Sequence, residues 1–166
     1  ILEGNCKVQH HIGFVHPPFQ KNECPKSKDY QLVAASHAVR RAIIQGGITT
    51  EMIPIVYPGA RTEKFKFIRE NLPVPLKPDG SKMKPIKACF AGLLMSSKGV
   101  HTAVQAVILL NKKNICTQLS IAGDEFQKGY KQAMQDLIIK EGLDGAINFV
   151  GQLSRTELAR FYALHH

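Results

Sequence analysis

An α/β fold built on a parallel sheet with flanking helices is what this sequence predicts, and three observations carry the prediction. Ile86 to Ala91 is an apolar run of strand length, followed by a turn containing Gly92, Ser96, Ser97 and the pair Lys98-Gly99. The period then becomes helical, with Val100, Ala103, Val104, Val107 and Ile108 at i, i+3, i+4, i+7 and i+8. This strand–turn–helix succession repeats twice more before the chain ends, and glycine stands at the end of each strand (Gly92, Gly123, Gly151). Strand, glycine turn and amphipathic helix in series make a Rossmann-like sheet.

Taken in order, residues 1–30 read as irregular. His10, His11 and His16 cluster near Gly13 and Pro17-Pro18. No Cys, Asp or Glu joins them at ligand spacing, so no metal is expected there. Tyr30 to Ala35 reads as a strand. Ser36 caps a helix running to Gln45, with Val39, Ala42 and Ile43 inward and Gly46-Gly47 as its stop. Arg40 and Arg41 are expected on the solvated side of that helix. Met52 to Val56 is a short strand closed by Tyr57-Pro58-Gly59. Residues 60–84 are polar, rich in Lys and Pro and poor in periodicity, so a linker or exposed loop is expected, with the main domain starting near residue 84.

The second strand is Gln118 to Ala122, ending in Gly123-Asp124. A helix is expected from Phe126 to Glu141, with Tyr130, Ala133, Met134, Leu137 and Ile138 as its apolar face and Gly142 as its stop. Ile147 to Val150 is the third strand. Ser154-Arg155-Thr156-Glu157 is a capping box, and the helix it opens should turn Leu158, Phe161 and Tyr162 inward. His165 and His166 carry no expected chemistry.

The 166 residues suffice for one domain and part of another, and a hydrophobic fraction of 44% supports a real core. No run approaches the roughly 18 apolar residues of a membrane span, and no signal peptide is visible. The initiator Met is missing, so the chain is expected to be a piece of a longer one. Four cysteines, Cys6, Cys24, Cys89 and Cys116, show no C-x-x-C spacing. Cys89 and Cys116 fall in apparent strands as small core hydrophobes, and a reducing cytoplasm is the expected compartment. The formal net charge of +9 is spread over Lys64 to Lys66, Lys82 to Lys87 and Lys112-Lys113 without an Arg/aromatic stripe. Solvated loops and helix ends account for it, and no nucleic-acid partner is expected.

The pattern F-A-G-x-L-x-x-x-K-G, Phe90 to Gly99, resembles the start of the C-terminal domain of retaining glycosyltransferases with the two-domain GT-B architecture, the large family 4 (group 1). The usual turn there is G-R-L-x-x-x-K-G, whose Arg and Lys bind the diphosphate of a nucleotide-sugar donor. Lys98 matches the lysine, while Leu93 stands where the arginine is usual and removes one expected ligand. The resemblance implies diphosphate binding at Gly92, Lys98 and Gly99. INFVGQLSRTELARFY is similar to the family's third strand–helix pattern, which implies nucleotide-base contacts at Gly151, Gln152 and Leu153. SIAGDE, Ser120 to Glu125, matches an A/V-G-x-G strand end in part, with Glu125 in place of the second glycine, and Glu125 is expected in solvent.

LVAASHAVRRAIIQGGITTEMIPIVYPGA is similar to the family's approach to the interdomain hinge. On the resemblance, residues 1–30 are the tail of an N-terminal domain, 31–59 a strand–helix–strand near the hinge, and 86–166 a truncated donor-binding domain. The family's acidic E-x7-E segment is expected beyond the third helix. The catalytic residues are not among those matched, and no cofactor is expected.

The implied function is transfer of a sugar from a nucleoside diphosphate sugar donor to an acceptor hydroxyl of a glycan, lipid or small molecule, with retention. The expected location is the cytoplasm, with peripheral association with a membrane surface as an option. This chain alone is expected to be inactive. An alternative is a non-catalytic nucleotide-binding or regulatory α/β module, since any doubly wound sheet gives strand–Gly–helix patterns. The lack of Walker A and G-x-G-x-x-G motifs argues against its P-loop and dinucleotide versions. A third is a basic module for RNA or anionic lipid, which would need its lysines on one face.

Overall fold

A computed structural model describes residues 7–15, 27–48, 53–59 and 62–166. The chain forms two compact units, residues 1–60 and 61–166.

In the first unit, β1 (Val8–Ile12) pairs in parallel with β2 (Tyr30–Ala34), from Val8 opposite Tyr30 to Ile12 opposite Ala34. The strand β1 corrects the expectation of irregular chain through residue 30. Its VQHHI sequence is polar at three of five positions and only Ile12 is buried, so no alternation betrays it. His10 Nδ1 lies 2.7 Å from the Tyr30 hydroxyl, which gives that histidine a hydrogen-bond partner within the sheet. Helix α1 (His37–Gln45) is capped as expected, with the Ser36 hydroxyl accepting the Val39 N–H at 3.2 Å. Val39 and Ile43 pack on Ile12, Leu32 and Ile53. Arg41 is exposed, but Arg40 is half-buried and its Nε is out of water, a correction to the solvated placement of both. Ile55 bridges Ala34 in parallel, while Met52 of the expected strand lies outside the described residues.

The second unit opens with α2 (Glu63–Asn71), where an extended linker was expected across residues 60–84. Lys66 alternates with Phe65 and Phe67, which blurs the helical period. The inward residues are the half-buried Phe65 and Ile68 at i, i+3. Residues 73–79 have no regular secondary structure. The sheet then follows the predicted succession: β3 (Ile86–Ala91), α3 (Val100–Lys112), β4 (Thr117–Ala122), α4 (Tyr130–Lys140), β5 (Ile147–Gly151) and α5 (Arg155–Ala163).

Strand order is β3-β4-β5 and both pairings are parallel. Each crossover is a helix, as parallel strands require. Leu119 and Ile121 of β4 meet Val100, Val104, Val107 and Ile108 of α3 and Ile138 of α4 in one core. The capping box at Ser154 and Glu157 forms with both reciprocal bonds. Tyr162 is 44% exposed rather than inward. It sits 100° around the helix from buried Phe161, with Ala159 and Ala163 filling the inner face instead, and its ring stacks on Phe65 at 6.3 Å. Helix α4 starts at Tyr130, four residues later than expected, because Gly129 is left-handed at φ +79° and residues 126–129 form a turn.

Candidate functional site

The carboxyl ends of three parallel strands meet beside a cleft of about 210 Å³ in the second unit. Its walls are Ala91, Gly92 and Leu93 after β3, Ala122, Gly123 and Asp124 after β4, and Gln152, Leu153 and Leu158 after β5. In an open parallel sheet, ligands bind outside the carboxyl edge of the strands. Of the residues singled out from the sequence, Gly92, Gln152 and Leu153 line this cleft.

Two backbone features shape it. Gly92 N–H donates to the Ala122 carbonyl at 2.9 Å, and Gly123 N–H to the Gly151 carbonyl at 2.8 Å, so the ladder runs on past the strand ends. The main chain of Gly123 lies so close to Gly92 that a Cβ at Gly123 would stand 1.9 Å from the Gly92 carbonyl oxygen. On the far side, Ile121 pairs with Phe149 but Ala122 with Gly151, so Val150 is bulged out. Gly151, left-handed at φ +77°, then turns the chain toward Gln152. The pairing of Gly92 with Gly123 is a feature that sequence reading missed. Its signal was a glycine immediately after each of two adjacent strands.

Lys98 and Gly99 lie outside the cleft lining, on the turn that leads from Leu93 into α3. Ser96–Lys98 is a single 3₁₀ turn, and Gly99 is left-handed at φ +75°. Lys98 is exposed, and its ammonium makes no hydrogen bond or ion pair among the described residues. The helix start offers fewer free donors than its position suggests. Lys98 N–H and Gly99 N–H bond back to Met95 and Ser96 carbonyls at 3.1 Å each, and His101 N–H is taken by the Tyr130 hydroxyl at 3.1 Å. The Lys98 ammonium is therefore the main positive feature of the turn, with the helix dipole behind it. Leu93, 42% exposed, puts an apolar side chain on the cleft.

Glu125 is exposed, as expected, and its Oε1 accepts the Lys131 N–H at 2.9 Å, a first-turn bond that explains its position without catalysis. Cys89 is half-buried in β3, and burial pushes its thiol pKa up. Among the described residues there is no cluster of His, Cys, Asp and Glu able to hold a metal ion, and no helix long and apolar enough to cross a membrane.

Residues 76–165 match the sequence model of a family described as glycosyl transferases group 1, which is more than half of the 166 residues. The chain is 38% identical over 87 residues to the uncharacterized glycosyltransferase MJ1069 of Methanocaldococcus jannaschii, a match over 52% of this chain and 21% of that protein. It thus spans about a fifth of that relative's length. Among solved structures, a glycosyltransferase from Rickettsia africae ESF-5 superposes with a TM-score of 0.64 at 18% identity, over 81% of this chain and 36% of that one. Anabaena Alr3699/HepE in complex with UDP-glucose gives 0.59 at 19% identity with the same coverages of 81% and 36%. At these identities the likeness shows the fold, which is the parallel α/β architecture of GT-B glycosyltransferases.

Proposed function

We infer that this chain, which belongs to the glycosyl transferases group 1 family, is the donor-binding part of an enzyme that moves a sugar from a nucleoside diphosphate sugar to an acceptor hydroxyl. The observation that carries this reading is the cleft itself, which brings Gly92 and the Gln152-Leu153 pair to one carboxyl edge with the Lys98 turn leading out of it. In this reading Gln152 and Leu153 meet the base, with Gly151 turning the chain toward it. The diphosphate lies along Gly92 toward Lys98 and Gly99. Solved relatives of the same fold that hold UDP or UDP-glucose support a nucleotide donor.

The bond from the sugar's anomeric carbon to the diphosphate breaks, a bond from that carbon to the acceptor oxygen forms, and the acceptor's hydroxyl proton passes to the departing diphosphate. The barrier is the growing charge on the departing diphosphate, which Lys98 and the α3 dipole stabilise. Retention of configuration, as in family 4, is part of the proposal. So are the wider organisation, with 31–59 near the hinge and 86–166 on the donor side, an acceptor that is a glycan, lipid or small molecule, and a cytoplasmic location with peripheral membrane association as an option.

The test is Lys98→Ala in the whole enzyme. A charge-assisted contact to phosphate is worth about 1.5–3 kcal/mol, so kcat/KM for the donor should fall about 10- to 150-fold. Lys113→Ala is the control at the other end of α3. Lys112 is less suitable, because it pairs with Glu141 at 2.6 Å. Equal activity of the two variants would return Lys98 to the role of a solvated turn residue. Proton NMR of the product tests retention, with the donor's anomeric configuration expected.

A further inference from the structure

The turn carrying Lys98 is not held by its own strand and helix alone. Gly99 is the N-cap of α3 and has no side chain to accept a first-turn N–H, so the usual cap is missing. The β4–α4 loop and the first residue of α4 supply the missing partners. The Tyr130 hydroxyl oxygen accepts the His101 N–H at 3.1 Å and lies 2.7 Å from His101 Nδ1. The hydroxyl has a second lone pair and a hydrogen, so it pairs with Nδ1 in either tautomer of the ring. The two rings meet edge to face, 87° apart with centroids at 6.2 Å.

At the other end of the turn, Gln127 Oε1 accepts the Ser96 N–H at 3.0 Å. Main-chain bonds complete the stitching: Leu94 N–H donates to the Asp124 carbonyl at 2.8 Å, and Phe126 and Gln127 N–H donate to the Leu94 carbonyl at 3.3 and 3.2 Å. Lys98 therefore lies between two anchors, Ser96 held by Gln127 of the β4–α4 loop and His101 held by Tyr130, the first residue of α4.

We propose that Gln127 and Tyr130 are positioning residues for the Lys98 turn: they fix where its ammonium stands relative to the cleft, without touching the donor themselves. This rests on the donor-diphosphate reading of Lys98. The four-residue turn before α4 then has a purpose. It keeps residues 126–129 out of the helix so that Gln127 reaches Ser96, while Tyr130 begins the helix beside His101.

A double-mutant cycle in the whole enzyme separates this from simple structural support. Donor kcat/KM is measured for the parent, Tyr130→Phe, Lys98→Ala and the double variant, with thermal melts for each. Tyr130→Phe should lower kcat/KM about 5- to 10-fold, the effect of losing one or two hydrogen bonds. In the Lys98→Ala background it should cost less than about twofold, because it acts through the lysine. Losses that add in the double variant, or a Tyr130→Phe enzyme as active as the parent, overturn the positioning role. A Lys98→Ala enzyme with no loss of its own overturns the diphosphate reading beneath it. Should Tyr130→Phe fail to fold, Gln127→Leu, at an exposed position, enters the same cycle with the same expected outcomes.

Discussion

At Gly123 the φ of +142° and the contact with the Gly92 carbonyl, 1.9 Å from where a Cβ would stand, leave no room for any side chain. Gly123→Ala should cost about 3 kcal/mol or more, combining backbone strain with an overpacked contact. Gly129 is also left-handed, at φ +79°, yet nothing lies within 4 Å of its added Cβ. There Ala should cost only about 1–2 kcal/mol. Thermal melts of the two variants check the contrast, and equal melting temperatures would contradict it. Sequence reading found glycines at three strand ends, but it could not rank them. The penalty at Gly123 comes from a second glycine across the sheet. That Lys98 stands on the turn before α3 was legible in the sequence, since Ser97 and Gly99 and the helical period after them mark that turn.

Helix α5 shows how a local signal survives into the fold. Ser154 hydrogen bonds, through its side chain first and its main chain second, hold the Glu157 carboxyl below the usual glutamate range. A depressed folded pKa means the ionised form supports the folded state. That support is present above the ordinary glutamate value of 4.5 and is lost as pH falls through the lower folded value. Glu157→Gln should therefore melt with a shallower loss between about pH 5 and pH 3 than the parent. Identical pH profiles would remove the capping box from the account. The elements from β3 to β5 were legible because each sends residues into the same core, so spacing and packing agree, and α5 was legible from its capping box. The strand β1 and helix α2 were not. Ile12 alone is buried in β1, and among the described side chains of α2 only Phe65 and Ile68 are inward, so neither carries enough apolar periodicity to be read.

On the scale of the molecule, the second unit has one parallel sheet whose carboxyl edge gathers residues far apart in sequence, Gly92, Gly123 and Gln152, around one cleft. The sequence patterns announced the strands and turns. The cleft came from register: the bulge at Val150 and the close approach of Gly92 and Gly123 depend on pairing between strands, which no single stretch encodes. The first unit repeats the parallel theme in miniature, with β1, β2 and the bridge at Ile55.

The most direct measurement is a titration of the ¹⁵N-labelled 166-residue chain with UDP, and in parallel with GDP, followed by amide chemical shifts. At least one of the two nucleotides should shift Gly92, Gly99, Gly151, Gln152 and Leu153 in a saturable way. Lys98→Ala should weaken that binding about tenfold or more. Shifts confined to the groove of Lys131, Asn148 and Phe149, or no shifts with either nucleotide at millimolar concentration, would contradict a nucleotide site at the carboxyl edge of this sheet.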